Sequence, residues 1–418
     1  MIHKSNILYS ILLRYVKFVY RRAFRQIEIR GQENIPSDGA IIFAPNHTNA
    51  FMDAFTVLEV AKREVVFVAR ADVFRNPIAA KIFNFLKIMP IMRMRDGREN
   101  LKKNEKIMQT AVEVLKDGVP FCIFCEGTHR MKHSILPLVK GIFRIAIQAD
   151  EALKGDIPVY IVPIGIEYGS FERYRSTIAV QVGKAFNVSE YLEQHKDKTQ
   201  PELMNIMRDE LSNRISSLYH CVPDTDDYEA ILDYCYSHNS CMLKNMNLDF
   251  TPYNIMLANR AYVDYLRKLE IENNNEYNSV IANAKEFSRK RRDLKIEDES
   301  LYVSPSYKKN IIRILTLIVS FPYFLYSVVV DLPVSVLTWL LFHFVIEDGA
   351  MKNSLRVLLV MLFYPLIFLV LGILLFSNLH WLSALILFLS ALPANLMVHD
   401  YVKTLRVLKS DYIFLKKI

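Results

Sequence analysis

The 418-residue chain has little glycine or proline, 12 and 16 residues, which excludes a collagen-like or low-complexity polymer. Its five Cys are odd in number and sparse, so no disulfide framework is implied and a reducing compartment fits. No Gly-x-Ser-x-Gly run occurs, so the strand-to-helix serine nucleophile is missing. What is present is apolar: 52% hydrophobic residues is too much for a disordered chain and high for a wholly soluble one. The length allows roughly two or three domains. The net charge of +8 admits an anionic membrane or a nucleic acid as partner. The basic clusters border apolar segments and are not interleaved with aromatics, so membrane lipids are the expected partner and nucleic acid is not.

Four apolar stretches fill the last quarter of the chain. Ile314–Val330 runs 17 residues without a charge, Leu332–Ile346 runs 15, and Val357–Phe376 and Leu379–Val398 run 20 each. Crossing about 30 Å of hydrocarbon takes about 20 apolar residues, so the third and fourth are strong spans and the second is short. Asp331-Leu332-Pro333 and Ser377-Asn378 read as the tips of two hairpins. Lys308, Lys309 and Arg313 precede the block, and Lys403, Arg406, Lys409, Lys416 and Lys417 follow it. Basic flanks on both sides imply an even number of crossings, with both flanks and the domain before them cytoplasmic.

The first 25 residues mix Ile7, Leu8, Ile11, Leu12, Val16, Phe18 and Val19 with Arg14, Lys17, Arg21 and Arg22. That pattern suits a basic amphipathic helix on a membrane surface, with a plain core helix as the alternative. Residues 26–222 alternate short apolar runs with helical patterns. Strands are expected at 26–30, 40–45, 65–69, 120–124, 159–166 and 177–182, with helices at 52–61, 77–85, 98–116 and 139–148. Such alternation predicts an α/β domain with a mostly parallel sheet flanked by helices. From Thr199, a plausible N-cap, the pattern turns helical. Residues 223–310 are a polar helical extension whose basic run, Arg289–Arg292, reads as a solvated face or a lipid-phosphate contact. Residues 311–400 form the apolar block and 401–418 a basic tail.

Chemistry concentrates at strand ends. Asn46-His47-Thr48-Asn49-Ala50-Phe51-Met52-Asp53 follows one apolar strand and precedes a helical pattern. A base histidine needs a carboxylate to fix its tautomer. Six residues of continuous helix would turn the two side chains about 240° apart, so the pair works only with His47 in the turn and Asp53 at the helix start. Phe124-Cys125-Glu126-Gly127-Thr128-His129 follows another strand and gathers a carboxylate, a glycine and a hydroxyl. Pro90-Ile91-Met92-Arg93-Met94-Arg95 ends an apolar run in two arginines suited to phosphate. Lys140-Gly141 opens a helix, and Val162-Pro163 ends a strand.

These four ordered blocks resemble the glycerolipid acyltransferase family over roughly residues 25–190. The resemblance implies His47 as general base and Asp53 as its support. It implies Asn46, Arg93, Arg95, Glu126, Gly127, Thr128 and Lys140 for the phosphorylated acceptor, and Pro163 for the acyl pocket. The donor would be a thioester, acyl-CoA or acyl carrier protein, with no cofactor and no metal. The spacing His-x5-Asp looks like the branch that acylates glycerol 3-phosphate or dihydroxyacetone phosphate, with lysophosphatidate next. Cys125 and His129 stand where the family commonly has Pro and Arg. A zinc site at Cys122, Cys125, His129 and His133 competes on spacing, but two Cys three apart on a strand face opposite ways. The other function class is a membrane scaffold or transporter with an inactive domain of this type.

Overall fold

The computed structural model describes every residue except 1, 3, 5, 93–100, 154, 155, 304, 347 and 418. The chain divides into two compact units: Met1–Arg21, Ile27–Tyr168 and Ile178–Tyr219 form one, and Arg22–Gln26, Gly169–Thr177 and His220–Ile418 form the other.

The first unit is the expected α/β domain. The strands described are β1 (Phe24–Arg30), β2 (Ala40–Pro45), β3 (Val66–Arg70), β4 (Ile88–Ile91), β5 (Phe121–Cys122), β6 (Val159–Tyr168), β7 (Ser176–Val182) and β8 (Phe186–Asn187). They order as β1-β7-β6-β2-β5-β3-β4, with β8 also on β6. Every pairing among β2, β3, β4, β5 and β6 is parallel, and β7 and β8 run antiparallel to β6. β2 sits between β6 and β5, and all six of its residues are buried. That explains why it reads as an unbroken apolar run and not as an alternation. β4 and the two-residue β8 were not anticipated. Pro90 is tolerated in β4 because that strand lies at the sheet edge.

Helices α1 (Ile7–Ala23), α2 (Ala50–Ala61), α3 (Pro77–Phe85), α4 (Leu101–Lys116), α5 (Gly141–Leu153), α6 (Val188–Gln194) and α7 (Gln200–Ser216) complete this part of the chain. α7 starts where Thr199 donates its N–H to the Glu202 carboxylate at 2.9 Å. Gly165 lies so close to the chain after α7 that a Cβ would come within 2.8 Å of the Leu218 main chain. α1 has two faces. Tyr9 and Tyr20 are buried, Tyr9 packing edge-on against Phe85 at 6.2 Å, while Ile7, Leu8, Ile11 and Phe18 stay exposed.

The second unit is helical: α8 (Tyr228–Asn245), α9 (Pro252–Glu272), α10 (Asn274–Leu294), α11 (Asp298–Tyr302), α12 (Tyr307–Phe344), α13 (Met351–Asn378), α14 (Trp381–Ala391) and α15 (Ala394–Lys417). α8 to α11 bury one cluster that includes Tyr228, Ile231, Tyr236, Val263, Leu266 and Ile281. Within the basic run, Arg291 is consumed by ion pairs to Asp233 and Asp298, and Lys290 pairs with Glu286 at 2.9 Å. Arg291 is therefore an internal tie and not a lipid contact.

The apolar block departs from the two-hairpin expectation. The first two stretches are one continuous 38-residue helix, α12, which passes straight through Asp331-Leu332-Pro333. At 1.5 Å per residue it reaches about 57 Å. Reading Asp-Leu-Pro as a turn presumes water. In apolar surroundings the cost of leaving backbone groups unpaired keeps helices intact through proline. The Asp331 carboxylate is covered by Tyr364, Asn395 and Ser335. The second tip is a real one, since α13 ends at Asn378. The fourth stretch is broken at Leu392–Pro393, with α14 and α15 bent by 49°. Among the described residues two helices, α12 and α13, are long and apolar enough to cross a membrane, and α14 with α15 makes a third if the bent pair is one span. Their outer side chains, Ile318, Val319, Leu366, Leu369 and Ile373 among them, are exposed, as lipid-facing residues are.

Candidate active site

β2 ends at Pro45, and α2 begins at Ala50, so His47 lies in the turn and Asp53 in the first turn of the helix. This is the only arrangement in which the pair can meet, and it does: His47 Nδ1 is 2.8 Å from Asp53 Oδ2. The Asp53 side chain is 0% exposed and the His47 side chain 15%, so the carboxylate is sealed and the ring keeps an open edge. Asp53 Oδ2 also accepts the N–H groups of Thr48 and Asn49, each at 2.8 Å. The carboxylate thus folds back over the positive end of α2, where negative charge is favoured. Its Oδ1 accepts the Tyr168 hydroxyl at 2.7 Å. Ala50 holds a φ of 41°, a left-handed value that costs an alanine about 1–2 kcal/mol. Strain of this kind collects at functional turns.

The loop after β5 closes on the same turn. Glu126 Oε1 accepts the His47 N–H at 2.7 Å, and Oε2 accepts the Leu136 N–H at 2.9 Å. The Arg130 N–H returns to the His47 carbonyl at 3.3 Å. Burial pushes the Glu126 carboxyl up to about 7, while the two backbone donors pull the other way. Phe124 stacks on the His47 ring with centroids 4.2 Å apart, and His129 meets it edge-on at 5.3 Å. Gly127 takes a φ of 68°, which a glycine adopts without strain, and both it and Thr128 are exposed beside this turn. Lys140 immediately precedes α5 and is half-buried. Burial pushes the Cys122 and Cys125 thiols up, which keeps both protonated.

Two sequence-expected residues sit inside the sheet. The Asn46 amide gives Nδ2 to the Ile166 carbonyl at 3.0 Å and takes the Ile166 N–H on Oδ1 at 2.7 Å. It ties β2 to β6 and has no amide group facing the turn. Pro163 is buried in β6 opposite Ala44, and its carbonyl accepts the Gly183 N–H at 2.9 Å. Its missing N–H falls where β7 gives way to β8, so no bond to β2 is lost. Arg93 and Arg95 lie outside the described residues.

Three residues of the site have no local signal. Tyr168 is 115 positions from Asp53, and Tyr20 joins it through Thr56: Tyr20 Oη lies 2.8 Å and Tyr168 Oη 3.3 Å from Thr56 Oγ1. Burial drives the Tyr168 hydroxyl well up, so it stays a neutral donor to Asp53. Phe124 heads the run through His129, but nothing local in that run said that its ring would stack on His47.

Comparison with known proteins gives the following. Residues 26–167 match the family described as Acyltransferase. A chloroplastic 1-acyl-sn-glycerol-3-phosphate acyltransferase of Arabidopsis thaliana is 28% identical over 143 residues, 34% of this chain and 37% of that protein. The 1-acyl-sn-glycerol-3-phosphate acyltransferase alpha of Homo sapiens is 26% identical over 154 residues, 37% of this chain and 49% of that protein. The crystal structure of a 1-acyl-sn-glycerophosphate acyltransferase from Thermotoga maritima overlaps 50% of this chain and 80% of its own, at 19% identity and a TM-score of 0.37. The chain thus spans about a third to a half of the curated relatives it matches.

Proposed function

From a chain whose residues 26–167 match the family described as Acyltransferase, we propose a membrane-bound enzyme that moves a fatty acyl group from a thioester to a hydroxyl of a phosphorylated glycerol. The observation that carries this reading is the buried Asp53 carboxylate 2.8 Å from Nδ1 of a partly exposed His47. The bond to Asp53 makes Nδ1 the protonated nitrogen and leaves Nε2 to accept a proton. As the acceptor oxygen attacks the thioester carbonyl, its proton passes to Nε2. The tetrahedral intermediate then collapses, the carbon–sulfur bond breaks, and His47 returns the proton to the departing thiolate. No protein nucleophile is required. Phe124 and Glu126 fix the ring and its backbone, so little reorganisation is needed in the reaction.

For the acceptor, the relatives' names carry 1-acyl-sn-glycerol 3-phosphate, which weighs against the preference for glycerol 3-phosphate or dihydroxyacetone phosphate suggested by the His-x5-Asp spacing. Lysophosphatidate is therefore the first acceptor to try. Its phosphate would fall to Arg93, with Arg95 beside it, and the exposed Thr128 and the nearby Lys140 are the other candidate contacts. The donor is acyl-CoA or acyl carrier protein. With α12 and α13 taken as the two crossings, the basic flanks of the apolar block share one side, and the domain faces the cytoplasm on this reading. An inactive scaffold is disfavoured because the His47–Asp53 pair and its supports are all in place.

The test is incubation of membranes holding the protein with labelled acyl thioester and each of the three acceptors. Label should enter phosphatidate from lysophosphatidate, and His47→Ala should abolish it while the protein stays in the membrane. Labelling that survives His47→Ala would defeat the assignment.

A further inference from the structure

The helical unit contains a second polar centre, unrelated to His47 and set among apolar helices. Its middle is the contact between Tyr174 and His399, whose rings lie 4.8 Å apart. Around it the paired cations can be separated from the unpaired ones. Arg175 is fully used: Nη1 donates to the Phe24 carbonyl at 2.7 Å, and Nε and Nη2 grip the Asp400 carboxylate at 3.3 and 3.0 Å. Arg173 pairs with Glu297 and Glu299, and Lys403 with Glu299 at 2.8 Å. Arg22 donates to the Leu392 carbonyl at 3.1 Å.

Arg356 and Arg406 are different. Among the described residues neither has a carboxylate within 4.0 Å or a hydrogen bond, although both lie within electrostatic reach of His399 and of each other. The carboxylate nearest in effect to Arg356 is Asp331. That group is already engaged by Tyr364, Asn395 at 2.9 Å and Ser335. Arg406 also feels Glu297 and Glu299, but Arg173 and Lys403 already pair with those two, so the cations around Tyr174 and His399 outnumber the carboxylates left to meet them. A half-buried guanidinium with no counter-charge is costly unless something completes it.

Position selects what completes it. Arg356 lies about 8 Å along α13 from its start, and the exposed apolar residues of that helix begin one to two turns further on.

 Leu362, Leu366, Leu369 and Val370 all face outward there. The unpaired cations thus sit at the foot of a lipid-facing surface, the depth at which phospholipid phosphates lie. We propose that Arg356, Arg406 and His399 bind the phosphodiester of an anionic phospholipid, with the Tyr174 ring closing one side. The site is separate from acyl transfer and does not rest on the reaction proposed above.

The test uses the full chain in neutral detergent, titrated with short-chain phosphatidylglycerol and followed by calorimetry or native mass spectrometry. Saturable binding is expected, weakened about tenfold or more in Arg356→Gln/Arg406→Gln, the loss of charge-assisted hydrogen bonds. Arg356→Lys/Arg406→Lys should retain most of it, and His47→Ala should bind as the wild type does. If Arg356→Gln fails to fold, Arg406→Gln alone, at an exposed position, should still weaken binding several-fold. Unchanged affinity in the folded Gln variants would overturn the proposal. Equal binding of phosphatidylcholine would remove the charge argument, and equal binding of inorganic phosphate would remove the lipid.

Discussion

Asp53 at the start of α2 and Asp331 in the middle of α12 are 0% and 1% exposed, and each accepts a hydrogen bond from a tyrosine, Tyr168 or Tyr364. Their remaining partners differ in kind. Asp53 takes two backbone N–H groups and the His47 ring, because the first turn of a helix leaves amides without intrahelical partners. Asp331 has no such amides, since those around it serve the helix ladder, so it recruits Ser335, Asn395 and Tyr364 from α12, α15 and α13. One carboxylate orients a reactive ring; the other stitches three helices. Burial and a tyrosine partner are common to both, so neither feature sets the two carboxylates apart. The titratable His47 ring and the open edge beside it do, and the proposed function rests on them.

The comparison breaks most sharply at Asp53→Asn. Loss of the carboxylate allows the wrong His47 tautomer, and acyl transfer should fall about 10²–10⁴-fold with folding little changed. A loss below tenfold in turnover with labelled thioester would mean that the pair is structural. Asp331→Ala should do the reverse. It strands three polar groups among apolar helices and should lower stability by about 1–3 kcal/mol, while activity per folded molecule holds. Thermal unfolding in detergent checks this, and an unchanged midpoint would count against the stitching role.

Glu126 sharpens the contrast through pH. Its folded value of about 7 lies above its ordinary 4.5, so the native state holds the proton more tightly than the unfolded chain. Stability from this group is full below pH 4.5 and declines as pH rises towards 7, because the unfolded chain then gains by ionising. Unfolding midpoints across that window should fall in the wild type and flatten in Glu126→Gln; parallel curves would remove Glu126 as the cause. The smallest effect belongs to Tyr168→Phe. It removes one of several donors to Asp53, and turnover should drop roughly fivefold, about 1 kcal/mol. A loss as large as that of Asp53→Asn would place Tyr168 in the chemistry.

The alternation of apolar runs and helical patterns made the parallel core legible, and the boundaries of β2 and α3 match the structure residue for residue. The His47 turn was legible too, because a helix cannot bring residues six apart together and a turn can. The surroundings of Asn46 and Pro163 were not legible: both lie in motif-like runs, yet their partners come from β6 and from the junction of β7 and β8. The fate of Arg291 was hidden for the same reason, since Asp233 lies 58 positions away. Asp331-Leu332-Pro333 has the local features of a turn, and only its apolar surroundings keep it helical.

Sequence alone determined most of the strands and helices of the α/β domain and where the apolar block lies, because periodicity and side-chain type act over a few residues. It also placed a histidine, a carboxylate and Glu126 at strand ends. Tertiary structure decided which of those groups meet, adding Tyr168 to the site, stacking Phe124 on His47, and leaving Arg356 without a carboxylate within 4.0 Å among the described residues. Those outcomes depend on contacts between residues far apart in the chain, and no local pattern encodes such distances.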